Sequence, residues 1–511
     1  MSELERLAAS VLCVGFDGAF AEHAPLRELA ELGPGGVVLF ARNAGDLVET
    51  RALVDAVCAA IEGEAGARPF VAVDQEGGRV ARLRRGAHDV PPMMALGAAD
   101  DPALAERVGL LVAGDLRSAG VTVDFAPVLD LALEARSAVV GTRAFGDDPQ
   151  RVGALGAAFG RGLERGGVAA TYKHFPGHGA TAHDSHDLLP RLTAGADLLR
   201  SRDLVPFRIA VAAGARAIMV AYVVAAAFDD ELPASLSPRV VAGVLRGELG
   251  FTGACFTDCL EMDALAGFGA ARAAVRALQA GADCALISHS LERAGEARDA
   301  IVAAVLAGDL PESRLREASA RLAALRASHA AEPAPDDGAA AEAARRAITV
   351  VRSPSPRDYT LEAGEAVTVI SFDAAAASGA DDRASEEATL NLSLRRRRVR
   401  SESLRVPAEP TPEMIEHLLA VVTAQRSRRV VLQAAGAVRF PEQRAALDAL
   451  LADVPDAIVA LMREPFDAVV LPAARIVLCA YGANEVCVEA LADVLTARAS
   501  AHGRLPVALA S

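Results

Sequence analysis

Eight short apolar runs, each followed by a helix-like pattern, constrain this chain more than any other feature. They are Val11 to Phe16, Gly36 to Phe40, Phe70 to Val73, Val121 to Val128, Val168 to Tyr172, Ala217 to Val224, Ala254 to Thr257 and Asp283 to Ile287. Between them lie alanine- and leucine-rich segments such as Asp46 to Ile61 and Pro102 to Ala119, with apolar positions three and four apart, as amphipathic helices require. Eight strands alternating with helices is the count expected of an α/β fold of the (β/α)8 TIM-barrel kind. A doubly wound open sheet is the competing arrangement. The barrel reading places chemistry just after each strand, at its C-terminal end. The residues found there are Asp17, Arg42 with Asn43, Asp74-Gln75-Glu76, Asp130, Lys173-His174, Tyr222, Asp258 with Glu261, and Ser288-His289. Polar groups therefore converge where a barrel would build a site.

At 511 residues the chain is too long for one ordinary core. The stretch Glu332-Pro-Ala-Pro-Asp-Asp-Gly reads as a linker by composition. The expected organisation is a barrel over 1–328, a linker over 329–345 and a smaller α/β sheet domain over 346–511. Strand candidates in the latter are Ala366 to Phe372, Arg429 to Ala434, Ala457 to Met462 and Arg475 to Ala480, with Gly503-Arg-Leu-Pro-Val-Ala-Leu as a final strand. The region Ala374 to Arg400 is irregular and charged and carries no assignment. Its basic run, Arg395 to Arg398 plus Arg400, reads as a solvated surface.

A net charge of −15 argues against a nucleic-acid partner, because phosphate binding wants a concentrated basic surface. A small polar or neutral substrate fits better. The seven cysteines fit no disulfide framework, and several sit in apolar runs, which implies reduced thiols and a cytoplasmic protein. The N-terminus lacks the form of a signal peptide, and nothing approaches a membrane span.

The densest chemistry lies in Lys173-His-Phe-Pro-Gly-His-Gly-Ala-Thr-Ala-His-Asp-Ser-His186, directly after an apolar run. Histidines beside a carboxylate and a lysine can transfer protons, hold a metal or grip polar ligand groups. A metal would use His174 and His178 with His183 or His186, but the proline and glycines between them prevent a helical HxxxH face, so no metal site and no cofactor are expected. In Val73-Asp-Gln-Glu-Gly-Gly-Arg-Val-Ala-Arg82 two glycines let the backbone turn after a strand ending in two carboxylates. These could accept bonds from sugar hydroxyls, or cap a following helix and pair with Arg79 and Arg82. Asp258 follows an apolar strand directly, where it could act as a nucleophile or cap a helix. Glu261 and Asp263 read as first-turn helix carboxylates. One nucleophilic carboxylate and one proton donor suffice for retaining glycoside cleavage, and His186, with Asp184 two residues earlier to orient it, is the candidate donor.

The motifs VDQEGGRVAR, DFAPVLDL, GTRAFG, KHFPGHG followed by DSH, and FTDCLEMDAL together resemble those of the bacterial β-N-acetylglucosaminidases of glycoside hydrolase family 3, over most of the first 330 residues. The resemblance implies that Asp258 is the nucleophile and that His186 with Asp184 is the acid/base dyad that marks this branch. It also implies that Asp74, Arg82, Arg143, Lys173 and His174 hold the sugar and its N-acetyl group. The substrate it implies is a GlcNAc-containing glycoside such as a muropeptide, hydrolysed during peptidoglycan recycling by a retaining exo-enzyme. Phosphorolysis of the same bond and a non-catalytic sugar-binding barrel are the alternatives. Two departures bear on the pocket floor: Tyr222 stands where family members often carry histidine, and Cys259 where an aspartate often follows the nucleophile. The sequence does not specify the oligomeric state.

Overall fold

The structure is a computed structural model that describes residues 1–509 except 182–188, 262–268, 327–330, 335–337, 374–388 and 426–427. Eight parallel strands close a barrel: β1 Leu12–Val14, β2 Gly36–Leu39, β3 Phe70–Val73, β4 Val123–Asp124, β5 Ala169–Phe175, β6 Ala217–Val220, β7 Ala254–Cys259 and β8 Cys284–Ile287. Each strand pairs with its sequence neighbours, and β8 closes on β1 through Leu12 beside Ala285, Cys13 beside Leu286 and Val14 beside Ile287. All eight runs anticipated from the sequence are strands, so the open-sheet alternative is excluded.

Three strand ends differ from expectation for local reasons. β4 shrinks to two residues because Pro127, lacking an N–H, interrupts the ladder. Contact with β5 continues irregularly beyond β4, with the Thr171 N–H on the Ala126 carbonyl at 3.0 Å, the Lys173 N–H on the Pro127 carbonyl at 3.1 Å and a bridge between Val128 and Lys173. β6 stops at Val220, and Val224–Ala225 pairs instead with Arg191–Leu192 in a separate two-stranded sheet. β5 in contrast runs on to Phe175, whose partner is Val220. Lys173 and His174, expected in a loop, therefore sit on the end of a buried strand.

The barrel interior is closed by aromatic rings. Phe256 of β7 meets Phe70 of β3 edge-on at 5.7 Å and Phe125 at 5.4 Å. Because strand side chains alternate, Asp258, two residues beyond Phe256, lies on the same inner side, at the mouth. On β5 the ring of Tyr172 points outward, so close to the helix Pro149–Arg165 that a Cβ on Gly160 would come within 2.1 Å of its hydroxyl. Its neighbours Thr171 and Lys173 consequently face inward.

The second unit is a six-stranded sheet made of β9 Thr349–Arg352, β10 Ala366–Phe372, β11 Arg400–Val406, β12 Arg429–Ala434, β13 Ile458–Leu461 and β14 Ile476–Cys479. Its order is β9-β14-β13-β12-β10-β11, with β9 antiparallel at one edge. A helix, Ala339–Ala347, precedes it and occupies part of the span expected to be linker. Gly503 to Leu509 forms no strand. It crosses between the two units instead, with the Gly503 N–H on the Ile348 carbonyl, the Arg504 N–H on the Ala98 carbonyl, and the Pro506 carbonyl on the Asp147 N–H. The basic run is solvated at Arg395, Arg396, Arg398 and Arg400 but not at Arg397, whose side chain is enclosed between Glu489 at 2.8 Å and Asp493 at 2.7 Å.

One apolar cluster spans both units, joining Met94, Ala95, Ala98, Val140 and Ala144 of the barrel to Leu432, Leu461, Phe466 and Val477 of the sheet domain. Among the described residues no helix is long and apolar enough to cross a membrane.

Candidate active site

After β3 the chain makes a hairpin, Gln75–Gly77 against Val80–Ala81, and not the start of a helix. Gly77 and Gly78 turn it with φ of +96° and +56°, and a Cβ on Gly78 would lie 2.6 Å from Pro92. The turn drives Glu76 into the mouth, where it is almost fully buried. Arg143, from the short 3-10 turn Gly141–Arg143, grips it through two parallel bonds of 2.7 Å. Lys173 of β5 lies 2.6 Å from Glu76 and donates to Asp74 at 2.6 Å. Arg82 approaches the other oxygen of Asp74 at 3.7 Å.

Four of the residues singled out in the sequence, Asp74, Arg82, Arg143 and Lys173, thus meet in one cluster. The residue that joins them is Glu76, weighed in the sequence as a sugar acceptor or a partner of Arg79 and Arg82 but not counted among the sugar-holding residues. Burial alone would raise both its carboxyl and that of Asp74. The Arg143 and Lys173 charges instead hold Glu76 far below the usual carboxylate range, and Lys173 and Arg82 hold Asp74 low. Lys173 in turn is raised, because Asp74 and Glu76 outweigh the cost of burying its ammonium. Beneath the cluster lies Asp124, whose Oδ1 accepts the Gln75 N–H at 3.0 Å. Burial pushes this carboxyl well up, making it the least ready of the three to add a negative charge.

His174 is joined to Lys173 by a cis peptide bond and turns to Asp130, with Nδ1 2.7 Å from the carboxylate. Asp130 is buried, yet His174 and His178 keep it below the usual carboxylate range. An ionised Asp130 requires the proton on Nδ1, so Nε2 of a neutral His174 ring is an acceptor. Asp130 also accepts the His178 N–H at 2.7 Å and so ties the Pro-Gly-His turn to the mouth. His178 bonds Thr181 through Nδ1 at 2.8 Å, and its buried Nε2 has no hydrogen-bond partner among the described residues. Burial lowers the His178 pKa, and the Asp130 and Asp258 carboxylates oppose that shift.

Asp258 is the penultimate residue of β7, two strands around the barrel from Lys173, and is half-buried. Its Oδ1 accepts the Cys259 N–H at 2.8 Å. The two departures noted in the sequence brace this turn. Tyr222 donates its hydroxyl proton to the Asp258 main-chain carbonyl at 3.1 Å, and Cys259 Sγ sits 2.6 Å from Ser288 Oγ at the end of β8. Burial pushes the Cys259 thiol up to about 11, so it stays neutral. Glu261 accepts the His289 N–H at 2.6 Å and so links the loops after β7 and β8. His183, Asp184, His186 and Asp263 lie outside the described residues. Among the described residues no three His, Cys, Asp or Glu are placed to hold a metal ion.

The arrangement offers fixed donors and acceptors on one side of a half-enclosed mouth and an aspartate on the other, which suits a polyhydroxylated ligand with an electrophilic carbon. Comparison with known proteins agrees. Residues 11–325 match the model of the glycosyl hydrolase family 3 N-terminal domain. The chain is 45% identical over 261 residues to a β-hexosaminidase of Stenotrophomonas maltophilia, covering 50% of this chain and 76% of that protein. It is 40% identical over 296 residues to a β-hexosaminidase of Chromobacterium violaceum, covering 57% and 80%. The structure of a glycoside hydrolase family 3 β-N-acetylglucosaminidase from Paenibacillus sp. FPU-7 superposes with a TM-score of 0.93 at 34% identity, over 100% of this chain and 99% of that one. On this match of barrel, motifs and whole-chain architecture, the chain belongs to glycoside hydrolase family 3.

Proposed function

We propose that the protein is a retaining exo-β-N-acetylglucosaminidase. The observation that carries this reading is the Lys173–Asp74–Glu76–Arg143 cluster across the mouth from Asp258, in a family 3 barrel. A terminal sugar seated on Asp74, Arg82, Arg143, Lys173 and His174 presents C1 to Asp258. A carboxylate oxygen forms a bond to C1 as the bond from C1 to the leaving oxygen breaks, and the protonated His186 imidazole gives its proton to that oxygen. In the second step the neutral imidazole takes a proton from water, whose oxygen displaces the carboxylate from C1. Asp184 orients His186 and stabilises its charged form. Muropeptides are the proposed physiological substrate, in a cytoplasmic step of peptidoglycan recycling. Seven free cysteines, six of them buried, suit that compartment.

The test is turnover of 4-nitrophenyl β-N-acetylglucosaminide beside the matching β-glucoside. Strong preference for the N-acetyl sugar is expected, and equal rates on both would overturn the assignment of the sugar. Phosphate should neither raise turnover nor yield GlcNAc-1-phosphate; if it does both, the enzyme is a phosphorylase.

His186→Ala should slow a glycoside with a poor leaving group about 10²-fold or more, while an activated aryl glycoside, which needs little acid help, should lose far less. Comparing kcat/KM across aryl glycosides of graded leaving-group pKa reads this directly. A uniform loss across the series would remove His186 from the acid role.

A further inference from the structure

The sugar-holding pair Glu76–Arg143 is carried by two loops, and both are held from behind by the sheet domain. Glu464 and Arg439 reach the loop of Arg143 from the ends of β13 and β12. Glu464, almost fully buried, accepts the Thr142 N–H at 3.2 Å, one residue before Arg143. It also occupies the space where a side chain at 141 would lie, since a Cβ on Gly141 would come 2.1 Å from Glu464 Oε1. Arg439 lies 3.5 Å from the other Glu464 oxygen and donates to the Ser137 carbonyl at 3.3 Å. On the barrel side Arg79 donates to the carbonyls of Ala138, Val139 and Val140 at 3.0 to 3.2 Å. Arg143 itself donates to Val139 at 3.0 Å, so residues 137–143 are clamped between the two units.

The hairpin of Glu76 is held independently, from the end of β14. Asn484 donates to Asp89 at 2.8 Å and to the Val90 carbonyl at 3.1 Å. Asp89 also accepts the Val486 N–H at 2.9 Å. That same Val90 carbonyl receives the N–H of Gly78, the glycine that turns the hairpin, at 2.8 Å. The C-terminal ends of β12, β13 and β14, where an open α/β sheet ordinarily offers a ligand crevice, are thus turned toward the loops of the barrel's own site.

We infer that the sheet domain is a structural part of the sugar site, with Glu464 and Asn484 as positioning residues that act through Arg143 and Glu76 respectively. Neither need touch substrate. A bidentate guanidinium–carboxylate pair is sensitive to displacement, and loss of placement by about 1 Å can cost a factor of about 10² in rate. The inference rests on the proposed role of Arg143 in holding the sugar.

Four proteins with their native sheet domains test it: Glu464→Ala, Asn484→Ala, Arg143→Lys and the double variant Glu464→Ala/Arg143→Lys. Each is assayed for kcat and KM on 4-nitrophenyl β-N-acetylglucosaminide and for its thermal midpoint. Glu464→Ala and Asn484→Ala should each lose about 10-fold or more in kcat/KM while still folded at the assay temperature. Adding Glu464→Ala to Arg143→Lys should lower kcat/KM by much less than it does in the wild type, because the placement it disturbs is already lost. Additive losses, or kcat/KM within twofold of wild type for Glu464→Ala, would overturn the inference even where Arg143→Lys is impaired. An unimpaired Arg143→Lys would instead remove Arg143 from the sugar site and the inference with it. Should Glu464→Ala fail to fold, Glu464→Gln serves in its place: it keeps an acceptor for Thr142 but loses the charge facing Arg439, and a loss of at least threefold that disappears in the Arg143→Lys background is expected.

Discussion

Asp258→Asn should lower turnover of an aryl β-N-acetylglucosaminide by at least about 10³-fold, equivalent to about 4 kcal/mol of barrel-mouth chemistry. The amide cannot trap C1, yet nothing else in the turn needs the charge. The asparagine carbonyl can accept the Cys259 N–H as Oδ1 does now, and Tyr222 holds the main-chain carbonyl, which the substitution leaves alone. The thermal midpoint should therefore stay within a few degrees of wild type. Asp258→Gly with azide should recover activity and release the glycosyl azide of inverted configuration, since the small anion enters from the face the carboxylate has vacated. A variant that keeps more than a tenth of wild-type turnover would show that Asp258 is not the nucleophile.

The second large effect is expected at Glu76, where activity and stability fall together. Glu76→Gln leaves Lys173 and Arg143 buried against one carboxylate fewer and points an amide N–H₂ at one of them, and breaking a buried pair in this way costs about 3 to 5 kcal/mol. Misplacement of Arg143 should also lower kcat/KM by about 10²-fold. The pH dependence has a definite sign. The folded Glu76 carboxyl is held far below its unfolded value of about 4.3, so its contribution is complete above that value and is lost as pH falls below it. Unfolding free energies of wild type and variant should differ most at neutral pH and converge below about pH 4. A gap that stays constant down to pH 3, or one smaller than about 1 kcal/mol at pH 7, would mean the cluster is not ionised as described.

The strands were legible because they are local: β3 of the barrel and β10 and β12 of the sheet domain fall on the residues where apolar runs begin and end. Most sugar-site residues were legible because strand ends in a barrel point at one place. What could not be read were partnerships across the chain. Glu76 looked like one of two carboxylates beside arginines of its own segment, and only the folded chain sets it against Arg143, 67 residues away, as well as Lys173. Glu464 meets Thr142 across 322 residues and gives no local signal at all. Arg397 failed in the opposite direction, since a run of arginines reads as solvated until the helix Glu485–Leu495 brings Glu489 and Asp493 against it. The terminal segment misled because alternating apolar residues suit a strand, whereas its partners are helix ends at Ala98 and Ile348 and a loop at Asp147, in two different units.

That terminal segment has a thermodynamic consequence. Residues 503–508 bond to Ile348 on one side and to Ala98 and Asp147 on the other, including the Ala508 N–H on the Asp147 carboxylate at 2.6 Å. They lie along an apolar cluster to which both units contribute. Neither unit can melt without exposing part of the other's interior, so the two should unfold together, in one calorimetric transition and not two.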